Sequence, residues 1–257
     1  MNNQLYKKHN YLDKNKRCII SLPIRAYDMV AGGYSVLKRE KVFSQEEMEY
    51  LDNTSKFKRN YYIGNKVRKE NLSEVLMNGF IKARKLFIEA NKITDDEILS
   101  IKKDAIFLVN KPARYLSFRD EGLEFRLEES YSSYYYINDM EIYFSNNNSL
   151  INIKGINDDM LEKHREFFLD DLVKIFKLVE GRDIGRRNMF IKSYRDLYLK
   201  KELDIGCYRQ LDQLSMFLYK DQIANSRILI DDIDDISKID ITYNYLNYLV
   251  PLYNMIF

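Results

Sequence analysis

Apolar and polar positions along the chain change rhythm from strand-like to helical several times. Residues 17–22 and 24–30 are apolar enough for two strands. Pro23 interrupts them or sits at a bulge, because proline donates nothing to a ladder. The pair Gly32-Gly33 and a short apolar run, residues 34–37, come next. Ser44 with Glu47 three residues on is a capping-box signature and predicts a helix over about residues 45–52. Asn71 and Glu74 repeat the signal ahead of a longer helix. Its apolar positions Leu72, Val75, Leu76, Phe80, Ala83, Leu86, Phe87 and Ala90 keep helical spacing. Thr94 opens a short turn. Residues 98–101 and 105–109 then read as two strands meeting at a tight turn of Lys102, Lys103 and Asp104.

Between Arg114 and Ile153 the pattern is that of strands: residues 115–118, 123–127, 131–137, 141–144 and 150–153, with Asn146-Asn147-Asn148 as a turn. Tyr134 and Tyr136 fall on one strand face, suited to packing or to stacking on bases. From Asp158 a helical stripe of Leu161, Phe168, Leu172, Ile175, Phe176 and Val179 runs to Gly181. A second helix covers about residues 188–203, and an apolar, Tyr-rich helix follows Ile241. The order predicts an α+β protein: a mixed sheet-and-helix domain over residues 1–155, then an almost wholly helical region over 156–257.

Composition narrows the function classes. Hydrophobic residues at 46% and charged residues at 31% are ordinary for a globular domain. No run of 18 apolar residues exists to span a membrane, and the basic N-terminal stretch lacks the pattern of a secretory signal. Cys18 and Cys207 stand far apart, which suits a reducing cytoplasm and offers neither a disulfide framework nor a zinc site. A net charge of +2 excludes a generic polyanion binder, yet the segment from Lys56 to Lys69 holds six basic residues and no acid. The stretch from Asp231 to Asp240 is strongly acidic. Abundant Tyr, Asn, Ile and Lys suggest an AT-rich genome, of a phage or a low-GC bacterium.

The candidate chemistry centres on carboxylates. An aspartate at the tip of a buried hairpin is costly unless something positive sits there. Asp28 likewise ends a strand. In the segment YDMVAGGYSVLK, Asp28 is followed by a tight turn, an aromatic and an apolar helix start. The segment KFKRNYYIG carries Lys56, Asn60 and Gly64 in the spacing Lys-x-x-x-Asn-x-x-x-Gly.

Together with the hairpin, these segments resemble the palm motifs of family B DNA polymerases, over roughly residues 19–203. The resemblance implies a palm-like antiparallel sheet with reduced fingers, a helical thumb-like region after it, and no exonuclease domain. It implies that Asp28 and Asp104 are catalytic and bind Mg²⁺ or Mn²⁺. It implies that Lys56, Arg59, Asn60 and Tyr34 meet an incoming deoxynucleoside triphosphate. Lys154 and Gly155, in NIKGINDDM, match the element that grips the primer–template duplex. Such a protein acts in the cytoplasm on primer–template DNA, alone or with a second polymerase chain.

Three departures stand beside the matches. Gly33 takes the place of the family's sugar-screening tyrosine, with Tyr34 one position later. Tyr61 and Ile63 replace the Ser and Tyr of the lysine motif. Lys102 takes the place of the first aspartate of the hairpin motif. The lysine favours an alternative, a catalytically degenerate palm that binds nucleic acid or a replication partner. A viral accessory protein with accidental likeness is a third. The two histidines, His9 and His164, are isolated in sequence and outside this chemistry.

Overall fold

The computed structural model describes residues 4–137, 140–155, 170–200, 202, 216–219 and 222–225. In chain order its strands are β1 (Asn10–Leu12), β2 (Cys18–Met29), β3 (Ile98–Lys102), β4 (Ala105–Val109), β5 (Ser117–Phe118), β6 (Leu123–Ile137), β7 (Met140–Ser145), β8 (Leu150–Lys154), β9 (Met216–Tyr219) and β10 (Gln222–Asn225). Its α-helices are α1 (Gly32–Arg39), α2 (Gln45–Asp52), α3 (Lys56–Lys69), α4 (Ser73–Ala90), α5 (Asp170–Glu180) and α6 (Ile184–Leu199). The protein is α+β, as the pattern predicts. Among the described residues no helix is long and apolar enough to cross a membrane. The chain divides into two units, Met1–Asn15 with Pro23–Ser130 and Lys16–Leu22 with Tyr131–Phe257.

In the first unit the strand order is β1-β3-β4-β2-β6. β1, β3, β4 and β2 pair antiparallel with their neighbours. The three-residue β1 lies along the outer edge of β3, with Tyr11 opposite Ile101. Four apolar positions of α4 (Phe80, Ala83, Phe87 and Ile88) meet Tyr27 and Met29 of β2, Ile98 and Ile101 of β3, Ile106 and Leu108 of β4, and Leu123 and Phe125 of β6. That single cluster fixes the face of every strand it touches. Side chains alternate along a strand, so Asp28, opposite Ala105, is sent to the other face, and so are Arg126 and Glu128.

Helices α1, α2 and α3 form a smaller core of Tyr34, Leu37, Phe43, Leu51 and Ile63. The capping box at Ser44 is present: its hydroxyl accepts the Glu47 N–H at 3.2 Å, and Glu47 accepts the Ser44 N–H at 2.8 Å. Glu47 also accepts from the Tyr62 hydroxyl at 2.5 Å and from Lys66 at 2.8 Å, which ties α2 to α3. These donors, Lys66 first, hold the Glu47 carboxyl down at about 2. α1 packs on α4 where Gly79 faces Val36, and a Cβ there would lie 2.1 Å from the Val36 side chain.

Several boundaries differ from the sequence expectation. β2 passes unbroken through Pro23. The missing N–H is tolerated while the Pro23 carbonyl accepts from Asn110 at 2.7 Å, and the irregularity falls at Ser21, with φ +56°. Asn71 does not cap α4: it takes φ +55°, and Leu72 is the N-cap. Lys102 belongs to β3, which leaves a turn of two residues. The first strand after Arg114 shrinks to β5, and the two expected over 123–137 are one strand, β6. β6 runs unbroken through the polar Glu128-Glu129-Ser130. N-terminal β1 was not foreseen.

In the second unit, β6, β7 and β8 pair in order, with Tyr134 opposite Tyr143 and Ile142 opposite Ile153. Leu172, Ile175, Phe176 and Val179 of α5 are buried, and Gly181 follows the helix as expected. Tyr134 and Tyr135 are both fully buried, which excludes them as a stacking surface for bases. The helix expected over 188–203 runs from Ile184 to Leu199. Among the described residues after 156, β9 and β10 pair antiparallel in addition to the helices α5 and α6. Asp158, His164, Cys207, the acidic stretch at 231–240 and the helix expected after Ile241 lie outside the described residues.

Candidate functional site

Lys102 pairs with Ala105, so Lys103 and Asp104 alone close the hairpin. A two-residue connection requires a positive φ, and Lys103 supplies it at +54°, a conformation that suits glycine better than lysine. Two main-chain hydrogen bonds and one from a side chain hold the tip. The Lys103 N–H donates to the His9 carbonyl at 2.9 Å, and the Met29 N–H donates to the Asp104 carbonyl at 3.3 Å. The third donor is Arg84 of α4, whose Nη1 donates to the Lys103 carbonyl. Arg84 is wholly buried, and its Nε also donates to the Tyr6 carbonyl at 2.9 Å. Burial lowers its pKa to about 10, while Asp104 pulls it back up. The strained turn is thus clamped from beneath by a charged side chain.

Asp28 stands one residue before the end of β2, opposite Ala105, the residue that follows Asp104. The two acids are therefore borne by neighbouring strand ends. Burial pushes the Asp28 carboxyl up to about 6, with Asp104 and then Glu128 adding to the shift. Arg126 and the Met29 N–H oppose it. Burial also raises Asp104, against its own N–H, Lys103, Arg84 and His9. A Cβ on residue 32 would lie 2.6 Å from Asp104 Oδ2, so glycine is what admits this carboxylate beside the start of α1.

Asp28 titrates higher folded than unfolded, so the native state holds the extra proton between about pH 4 and 6. Stability falls as pH rises through that window. Asp28→Asn is expected to be more stable than the wild type at pH 8 by about 1–2 kcal/mol, allowing for the partial exposure of the group. The two proteins should match near pH 4. Urea titrations at both pH values check this; an equal gain at both would rule out charge as its source.

The remaining residues suggested by the sequence lie elsewhere. Tyr34 is buried, its hydroxyl donates to Asp52 at 2.6 Å, and its ring lies 5.2 Å from Lys38 Nζ and 5.5 Å from the Arg59 guanidinium. The Tyr34 ring is thus already flanked by two cations. Lys56 and Asn60 are exposed on α3, which reaches the start of α1 through Ile63 at Gly33. Lys154 ends β8, exposed and opposite Glu141, and Gly155 follows at φ +94°. Both belong to the second unit.

Sequence reasoning passed over His9, Arg84, Arg126, Glu128 and Gly32. The Arg84 signal was legible, since an arginine three residues before Phe87 and four after Phe80 lies in the apolar stripe of a core helix. His9 is not isolated: Arg84, Lys103 and Asp104 all act on it, and burial lowers its pKa. Among the described residues no group of three or more His, Cys, Asp or Glu side chains is gathered for a metal. Two carboxylates still fit magnesium, which is commonly held by one or two of them together with water and substrate phosphates.

A family model described as Bacteriophage PBS1 gene 130 protein matches residues 1–257. No curated protein matches the chain.

Proposed function

We propose that this chain, which belongs to the phage PBS1 gene 130 protein family, carries a palm-like nucleotidyl-transfer site built on Asp28 and Asp104. One observation carries the reading. The order β3-β4-β2-β6, with α4 packed on one face, brings an aspartate near a strand end and a hairpin-tip aspartate together on neighbouring strands. That placement supports a palm-like reading, in which two carboxylates on neighbouring strands share a metal. The excess negative charge at Asp28 suits a bound cation, because a divalent ion would offset the repulsion from Asp104 and Glu128.

In this reading Asp28 and Asp104 hold Mg²⁺ or Mn²⁺. When bound, such ions supply activation of a primer hydroxyl and charge stabilisation for the leaving pyrophosphate. Arg84 keeps the Asp104 turn in register, and Gly32 leaves room for its carboxylate. Lys56 and Arg59 meet triphosphate oxygens from α3, and Lys154 meets the nucleic-acid backbone. Primer extension on a primed DNA template with Mg²⁺ or Mn²⁺ tests the proposal, and incorporation by the wild type supports it.

A second reading rests on Lys102. It stands one residue before the turn, opposite Ala105, on the face that Asp28 shares. A lysine there supplies positive charge that a metal would otherwise bring, and leaves a palm that binds without turnover. Salt-sensitive binding of primer–template with no extension in either metal selects this reading over the first.

A further inference from the structure

Phe57, Tyr61 and Asn65 recur every four residues along α3 and form one stripe, with the aromatics roughly 6 Å apart along the helix axis. Phe57 is 80% exposed and Tyr61 69%, unusually open for large apolar side chains on a packed helix. With Tyr50 of α2 they line a cleft of about 490 Å³ whose rim carries Lys58, Lys69 and Glu70. The cleft has a rigid floor: the Tyr50 and Tyr62 rings lie 5.9 Å apart, and Lys66 is held by Glu47 at 2.8 Å and by Glu70 at 2.9 Å. Among the described residues Lys58 and Lys69 have no ion-pair partner. The face is distinct from Lys56 and Asn60, which do not line it.

An apolar partner would bury Phe57 and Tyr61 but strand the two lysines; a plain polyanion would use the lysines and leave the aromatics in water. A ligand with flat aromatic faces strung on a negative backbone satisfies both. We propose that this face of α3 binds single-stranded nucleic acid, with bases stacked on Phe57 and Tyr61 and phosphates against Lys58 and Lys69. The inference does not depend on turnover at Asp28 and Asp104, so the two proposals fail separately.

Fluorescence anisotropy of the full chain with a labelled oligothymidylate of about 20 nucleotides tests it across a salt series. Phe57→Ala and Tyr61→Ala are each expected to weaken binding about tenfold or more. Joint Lys58→Ala and Lys69→Ala should lower the slope of log affinity on log salt by about 1.4. Phe57→Leu keeps apolar bulk without an aromatic face and should lose affinity while melting like the wild type. Failure of the wild type to bind the oligonucleotide, or unaltered binding by the double aromatic variant, overturns the proposal. So does a wild-type dimer that the aromatic variants convert to monomer, which would assign the face to a second copy of this chain.

Discussion

Asp104→Asn is expected to lower metal-dependent primer extension by about a thousandfold, roughly 4 kcal/mol of transition-state stabilisation, without unfolding the protein. The hairpin tip is held through main-chain groups of Lys103 and Asp104, none of which the substitution touches. An amide also has nearly the carboxylate's shape, so it keeps the space beside Gly32. What disappears is charge. A neutral oxygen is a poor ligand for a hard cation, and activity should fall with it. Stability should move the other way. Asp28 loses the charged neighbour that helps hold its pKa near 6, and the folded state is relieved of a like-charge contact. Extension rates and urea midpoints on the same preparations check the pair of outcomes. Activity and stability falling together would mark Asp104 as a structural residue and sink the metal-site reading.

Arg84→Ala is expected to destabilise the protein by about 3–5 kcal/mol, measured by urea unfolding. The change strips hydrogen bonds from the Tyr6 and Lys103 carbonyls and opens a cavity in the core under the sheet. Each carbonyl left unsatisfied costs about 1–3 kcal/mol. It also frees Lys103, whose positive φ is sustained by contacts on both sides of its peptide. Arg84→Lys should recover little, because a single ammonium does not reproduce the fork that reaches two carbonyls from different segments. A loss under about 1 kcal/mol would mean that water satisfies those groups and that Arg84 is no clamp.

Local signals in the chain were read well where neighbours in sequence decide the structure. The Ser44–Glu47 box, the β3–β4 hairpin and the stripe of α4 depend on contacts a few residues apart, and each is present. That Asp28 lies near the Asp104 hairpin was implied only by the family resemblance, since its strand pairs with β4 from far away in sequence. What escaped the reading depends on distance. His9 meets Lys103 from the far end of the unit, and Glu128 reaches Asp28 only because β6 lies beside β2. The committed hydroxyl of Tyr34 depends on Asp52, which no spacing rule links to it. Pro23 misled for a different reason. A proline breaks a ladder only if its N–H is needed, and here its carbonyl accepts from the Asn110 N–H.

The short N-terminal strand has a role beyond the site. β3 is buried along Ile98–Ile101, and among the described residues its outer row of main-chain groups is covered by β1, through Asn10–Leu12 and the bond from Asp13 to Leu99. Trimming the polar residues ahead of β2 to tidy an expression clone would uncover a flat, apolar edge of the kind that recruits strands from other molecules. Removing Asn10–Leu12 is therefore expected to open that edge to strands of other molecules, read as a rise in light scattering against the full chain.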